Sequence, residues 1–145
     1  MSTWTHVSGV VRIDDLSFIT HDKRNTSKTV EKIIGPMCLF DKWNKNTKLP
    51  TGSEGSIEYK VIQNKNESSI ARFTVVFWGD LRDYDDLDEI QRWFIQLKKD
   101  IEDDKHVMLY RDAVLKAYVE CTNESLVITL DDNVNWRKQN DKVKN

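Results

Sequence analysis

The apolar residues between positions 56 and 101 follow two different periods, and this switch constrains the fold most. In "SIEYKVI" and "ARFTVVFW" every second residue is apolar, as in a β-hairpin that is buried on one face. In "DDLDEIQRWFIQLKKDI" the spacing changes to three and four, which is typical of an amphipathic helix. The apolar stripe of this helix consists of Leu87, Ile90, Phe94, Leu97 and Ile101. The chain therefore contains a hairpin followed directly by a helix.

Further strands and a second helix surround this unit. "WTHVSGVVRID" alternates as a half-buried strand does, and "TSKTVEKIIGP" has helical spacing that Gly35 and Pro36 end. After the long helix, "HVMLY" and "AVLKAYVEC" are predicted to be one strand bent at Arg111 and Asp112, and "SLVITL" is predicted to be the last strand. The predicted order is strand, helix, strand, strand, helix, strand, and one extra strand.

This order predicts an α+β protein with the ferredoxin-like split βαβ fold. In that fold two helices cover one face of an antiparallel sheet. A chain of 145 residues is long enough for one domain with its own core. We expect a single domain at residues 1–130 and a polar tail at residues 131–145.

Composition disfavours several classes of partner. The net charge is -2 and both signs are interspersed, so no general field attracts nucleic acid or a membrane surface. No apolar run approaches the roughly 20 residues that a membrane helix needs, and the first residues do not resemble a secretion signal. We expect a cytoplasmic protein that has no membrane partner and no nucleic-acid partner.

The segment "WGDLRDYDDLDEIQRWF" at positions 78–94 crowds charge between a strand and a helix. Four of its carboxylates are close in sequence: Asp80, Asp83, Asp85 and Asp86. They could hold a hard cation, although the calcium-loop pattern is absent, and the glycine before a helix could instead receive a phosphate beside Arg82. The favoured interpretation is that Gly79 turns the chain, Asp86 caps the helix, and Arg82 pairs with Asp83 or Asp85. No metal site is predicted.

The face of the sheet away from the helices is predicted to be unusually apolar. Its outward residues include Trp4, Val10, Val76, Trp78, Met108 and Tyr110. A freely solvated sheet face is normally polar, so a second subunit, the tail or a ligand should cover this one. We therefore expect a homo-oligomer. Stacking of single-stranded RNA on Trp4 and Trp78 is disfavoured, because the RNP consensus is not visible in "ARFTVVFW".

Candidate ligand-binding residues come from two places. Trp4, His6, Arg12 and Trp78 would offer aromatic stacking and charge from the sheet. The glycine-rich "TGSEGS" could act as a mobile flap, in which Ser53 and Gly55 close over a phosphate together with Arg82. The alternative for the flap is an ordinary flexible turn.

No catalytic residues and no cofactor are predicted. His6, His21 and His106 lack the spacing of metal ligands, and no serine lies in a nucleophile elbow. Neither Cys38 nor Cys121 has a nearby basic partner in the sequence. We expect that the protein is not an enzyme.

Three stretches carry a resemblance to known proteins: "WTHVSGVVRIDDL", "GSEGS" and "GDLRDYDDLDEIQRWF". Over roughly positions 4 to 120 the chain resembles a group of small accessory proteins encoded by bacteriophages. The resemblance implies a non-enzymatic protein in the cytoplasm of a bacterial host. Inhibitors of host defence are one class it implies, including oligomeric sponges that sequester cyclic nucleotides or ADP-ribose-like signals.

The leading hypothesis is a binding protein that sequesters a small phosphorylated, nucleotide-type signal between subunits. The first alternative is a protein-interaction module that inhibits a host protein through its sheet face or its acidic helix. Positions 80–104 hold ten acidic and four basic residues, which could attract a basic partner. The second alternative is a virion or assembly component that uses the apolar face for self-association.

Overall fold

The structure is a computed structural model that describes residues 2–16, 26–37, 47–64, 70–103 and 108–130. These residues form five strands and two helices in the predicted order. The elements are β1 (Trp4–Asp15), α1 (Thr26–Ile34), β2 (Glu58–Gln63), β3 (Ala71–Arg82), α2 (Leu87–Glu102), β4 (Met108–Val119) and β5 (Glu124–Thr129).

The five strands form one antiparallel sheet with the spatial order β2-β3-β1-β4-β5. The central strand β1 pairs with β3 along its whole length, from Trp4 opposite Arg82 to Asp15 opposite Ala71. On its other side β1 pairs with β4. The first four strands have the order of the ferredoxin-like fold, and β5 extends the sheet beyond β4. The predicted fold class is confirmed.

The core lies between the sheet and the two helices. α1 packs on β2, α2 packs on β4 and β5, and the helices contact each other. Every residue of the predicted apolar stripe of α2 is buried. The rings of Phe77 and Trp93 meet edge to face with their centroids 5.4 Å apart, a favourable arrangement for aromatic pairs.

Local hydrogen bonds fix the start of α2 and the end of α1 at the residues that the sequence predicts. The side chain of Asp86 accepts a bond from the backbone N–H of Glu89 at 3.0 Å, which confirms Asp86 as the N-cap of α2. At the end of α1 the N–H of Gly35 donates to the carbonyl of Glu31 at 2.9 Å. Gly35 has a φ of 98°, which L side chains rarely adopt, so glycine is suited to this helix end.

The predicted turn at Gly79 is wrong, because β3 continues through Arg82. Gly79 pairs with Val7 inside the sheet. A Cβ at Gly79 would come within 2.7 Å of the carbonyl oxygen of Ser56, so this glycine permits a close approach of two backbones. The chain turns instead at Asp83, which has a φ of 53°.

β4 is a single strand, as predicted, with an irregularity at the predicted bend. The register with β1 shifts next to Arg12, which lies opposite Asp112. The extra residue, Arg111, inverts the alternation of side chains toward the start of the strand. Met108 and Tyr110 therefore lie in the core, exposed by 2% and 9%, and their predicted place on the outward face is wrong.

Some predictions fall outside the described residues, namely the tail at 131–145, His21, His106 and Cys38. Among the helices that the structure describes, none is both long enough and apolar enough to cross a membrane.

Two glycines with positive φ give a matched test of the fold. A Cβ at Gly35 would make only ordinary van der Waals contact, with the nearest atom of Lys48 3.9 Å away, whereas a Cβ at Gly55 would lie well under 3.0 Å from the carbonyl oxygen of Asp80. We expect Gly35→Ala to lower the free energy of unfolding by about 1 kcal/mol, through backbone strain alone. Gly55→Ala should cost at least about 1 kcal/mol more, because the backbones must also separate. Urea unfolding measures both, and equal losses would contradict this packing of the turn.

Candidate functional site

The open face is the side of the sheet away from the helices. It is formed by the even-numbered residues of β1, β2 and β3, those of β4 from position 112, and the odd-numbered residues of β5. The large hydrophobic side chains that are exposed among the described residues all project from this face: Ile62, Trp78, Val114 and Val127. Between them lie the half-buried Val10 and Val76. Apolar side chains collected on one face mark a binding surface more often than scattered ones do.

The apolar side chains form a continuous band across the three central strands, β3, β1 and β4. Val10 of β1 lies directly opposite Val76 of β3 and opposite Val114 of β4. In the next row, Trp78 lies opposite Ser8. Side chains opposite one another in adjacent strands are close enough to touch, so the band is a surface rather than a set of isolated residues.

His6 lies between two carboxylates at one end of the open face. Its Nδ1 is 2.5 Å from Oδ1 of Asp80 on β3, and its Nε2 is 2.7 Å from Oε1 of Glu120, just after β4. Hydrogen bonds to Asp80 and then to Glu120 raise the pKa of the imidazole above 6.5, and its slight burial opposes them. When protonated, His6 donates to both acids and links three neighbouring strands.

Arg82 also has partners within the chain. Its Nη1 donates to Oε1 of Glu54 at 2.7 Å, and its Nε donates to the hydroxyl of Ser2 at 2.9 Å. The nearest oxygen of Asp83 is 4.0 Å from Nε. The predicted ion pair of Arg82 with Asp83 is therefore present but long, and the closer carboxylate partner is Glu54, which the sequence did not predict.

The segment "TGSEGS" is docked on the end of β3. The N–H of Ser53 donates to the carbonyl of Arg82, and the N–H of Arg82 donates to the carbonyl of Glu54, both at 2.9 Å. The N–H of Gly52 donates to the carbonyl of Gly55, and the Ser53 hydroxyl donates to Asp83 at 2.7 Å. These four donors have acceptors within the chain, and closing them on an anion would require these hydrogen bonds to break; that Ser53 and Gly55 bind a phosphate stays a prediction.

Three arginines meet at the opposite end of the open face from His6. They line a depression of about 280 Å³ together with two aspartates; its lining is Arg12, Asp14, Arg72, Arg111 and Asp112. Arg72 and Arg111 share one carboxylate, with Nε atoms 3.7 Å and 3.3 Å from the oxygens of Asp14. Arg12 has no ion-pair partner among the described residues. The depression therefore holds one positive charge more than its acids balance.

The carboxylates of the charged loop are not gathered around one point. Asp80 binds His6, Asp83 accepts from Ser53, and Asp86 caps α2. Within the part of the chain that the structure describes, no group of three or more His, Cys, Asp or Glu side chains could hold a metal ion.

The candidate residues predicted from the sequence separate into a group at one end of the open face, where Trp4 lies directly opposite Arg82, and Arg12 near the other end. Trp4, His6, Arg12 and Trp78 share the open face, but Trp78 lies opposite Ser8, four residues along β1 from Arg12. That separation is about 13 Å in a strand, so these two side chains do not converge on one small pocket. Ser53 and Gly55 lie on the docked turn beside Arg82, at the His6 end of β3.

Sequence reasoning missed Arg111, Val114, Val127 and Glu120. All four lie on or next to β4 and β5; β4 is placed by pairing with β1 across roughly a hundred residues, as between Val10 and Val114, and β5 is placed by pairing with β4. The alternation in "AVLKAYVEC" was the available signal, because it puts Val114 on the side of the strand opposite Leu115.

No protein-family model matches the chain, and no curated protein sequence matches it. A chain in the crystal structure of the Csm3-Csm4 subcomplex in the type III-A CRISPR-Cas interference complex has a similar backbone course. The similarity covers 96% of this chain and 89% of that chain, with 13% sequence identity and a TM-score of 0.38. A likeness of this size is no basis for assigning an activity or a partner.

The contacts of His6 predict a measurable titration. We expect the NMR midpoint of His6, assigned by its loss in His6→Gln, to lie above 6.5, because both acids stabilise the imidazolium. Asp80→Asn should lower the midpoint more than Glu120→Gln, since the bond to Asp80 is the largest cause of the raised pKa.

The raised pKa of His6 also predicts how the stability of the fold depends on pH. A raised pKa in the folded state means that the stabilisation from His6 is full below pH 6.5 and is lost as the pH rises through the folded pKa. The difference in unfolding free energy between the native chain and His6→Gln should shrink over that interval. A midpoint at or below 6.5, or one that neither acid variant moves, would contradict the geometry.

Proposed function

We propose that the protein is a non-enzymatic binding protein whose open face docks a protein partner. One observation carries the proposal: the exposed large hydrophobic side chains of the described residues all lie on this face. Contiguous apolar surface on a folded chain usually marks an interaction site, because leaving it in water is unfavourable. That the protein does not act as an enzyme rests on the sequence, in which no nucleophile or metal-ligand pattern was found.

The shape and composition of the open face favour a protein over a small molecule. Small-molecule sites are concave and enclose most of the ligand, whereas a sheet face is broad and open. Trp78 is 42% exposed within an apolar band, and charged groups lie at both ends of that band. An apolar centre with aromatic residues and a polar rim is the usual anatomy of a protein interface.

The resemblance to phage-encoded accessory proteins suggests where such a partner would be found. A host protein met in the bacterial cytoplasm fits the interaction-module hypothesis, and a structural protein of the virion fits the assembly hypothesis. Both use the same face, so one set of surface variants tests them together.

A charge placed on the open face should abolish association. We expect Trp78→Lys to weaken binding to a protein partner at least about 30-fold, because central aromatic anchors contribute about 2 kcal/mol or more to interfaces. Gln96→Lys is the matched control, since it adds the same charge at an exposed position of α2. Association is measured by capture from bacterial lysate and by sedimentation of the purified protein. Equal association of all three proteins would refute the proposal.

Capture of a phosphorylated ligand is the second candidate, and Arg12 favours it. This exposed guanidinium has no ion-pair partner among the described residues and faces a depression with two more arginines. Guanidinium groups bind phosphate through paired hydrogen bonds. The phosphate would then lie at the Arg12 end of the face, far from Arg82, Ser53 and Gly55.

Pyrophosphate and cyclic dinucleotides are suitable probes for this second candidate. If it holds, calorimetry should show binding that Arg12→Gln weakens about tenfold or more, because a charge-assisted hydrogen bond is lost. Lys60→Gln is the control, since Lys60 is exposed on the same face but does not line the depression. The absence of binding, or an equal effect of both variants, would remove this candidate.

A further inference from the structure

We infer that the partner docked on the open face is a second copy of this chain, related by a two-fold axis that runs across the strands. The inference rests on the proposed function of the open face. The axis would follow the row that holds Val76, Val10 and Val114, and the two sheets would pack face to face as in a β-sandwich.

The apolar band is suited to contact its own copy. A two-fold axis along a row brings each residue of that row against itself, so Val10, Val76 and Val114 would each meet the same valine. The row ends in Lys60 on one edge strand and Thr129 on the other. Lys60 is exposed at the sheet edge, where a long flexible side chain can keep its charge in water.

The charges at the two ends of the open face select the direction of the axis. One end, the basic end, holds three arginines and two aspartates and carries a net charge of +1: Arg12, Arg72, Arg111, Asp14 and Asp112. At the other, the acidic end, Asp80 and Glu120 flank His6, and Arg82 is paired with Glu54, so the net charge is -1 when His6 is protonated. An axis across the strands reverses the strand direction, so the basic end of each copy covers the acidic end of the other. An axis along the strands would stack like charges at both ends, which is unfavourable.

Besides the charges at the two ends of the face, the opposite charges of Asp112 and Lys116 lie close to the axis. Asp112 is two residues from Val114 on one side, and Lys116 is two residues from it on the other. Rotation about the axis brings Asp112 of each copy over Lys116 of its partner. The strands of two packed sheets cross at roughly 30°, which shifts facing residues sideways from one another. This shift grows with distance from the axis, so Asp112 and Lys116, which lie near the axis, stay close.

The area of the open face matches what a stable dimer needs. β1, β3 and β4 have 12 residues each, and β2 and β5 have six. At about 3.3 Å per residue and 4.8 Å between strands, the face covers about 750 Å². A typical stable interface buries about 800 Å² on each partner.

Exchanging the central charges tests the inferred axis. Sedimentation over a concentration series should show a dimer of the native chain. Asp112→Lys alone and Lys116→Asp alone should each weaken it about tenfold, since each puts two like-charge contacts into the dimer. The double variant should restore the native affinity. Neither side chain has an ion pair within the described residues. Asp112 accepts a hydrogen bond from the backbone N–H of Ala113 at 2.9 Å and lies beside the three arginines, but these contacts change equally in Asp112→Lys and in the double variant, so the comparison of those two isolates the contact between copies.

The outcomes separate this inference from the proposed function. A dimer that both single variants weaken and the double variant restores supports both. A native chain that is monomeric at all concentrations, yet captures another protein in a Trp78-dependent way, overturns the inference and leaves the function standing. A dimer that is indifferent to the charge exchange also overturns the inferred axis. A monomer with no Trp78-dependent capture overturns both.

Discussion

The pairing of β1 with β3 on one side and with β4 on the other is the constraint on which the rest of the structure depends. Because β1 is central, its alternation decides which side chains of three strands share a face. Val7, Val11 and Ile13 turn toward the helices and enter the core. On the opposite side of the same strand pairs, Val10, Val76 and Val114 lie in one row at the centre of the open face. The core and the open face are therefore the two sides of the same sheet, and one strand register determines both.

The crossovers leave the open face without a cover from the described elements. α1 connects β1 to β2, and α2 connects β3 to β4, and both helices pack on the core side. Charged contacts then organise the ends of the face that remains. His6 joins Asp80 to Glu120 at one end, and Asp14 holds Arg72 and Arg111 at the other. The apolar band between these ends is the part with the largest free-energy gain from being covered.

Much of the fold could be predicted from the sequence, because it depends on periodicity within single elements. The stripe of α2, the cap at Asp86 and the alternation in β3 are local patterns, and each was confirmed. What failed depends on contacts between distant segments. Gly79 was predicted to be a turn. A glycine is needed there because the backbone of Ser56 approaches closely, and Ser56 lies more than twenty residues earlier in the chain, where a local pattern does not show the contact. The sequence predicted a bend at Arg111 and Asp112, but not that one residue is inserted there, and this insertion moves Met108 and Tyr110 to the core side.

The candidate site was predictable only in part, for the same reason. Arg12 and Trp78 were recognised from the patterns of β1 and β3. Glu54, Glu120 and Arg111 come from other segments, and the sequence does not show which strands those segments lie beside.

The central claim is that the open face is the surface that a protein partner covers. Hydroxyl-radical footprinting, read by mass spectrometry in dilute and in concentrated or partner-saturated solution, tests it most directly. Oxidation of Trp78 should fall on association while that of Trp93, on the helical side, stays constant; an unchanged Trp78 in an associated sample would contradict the claim.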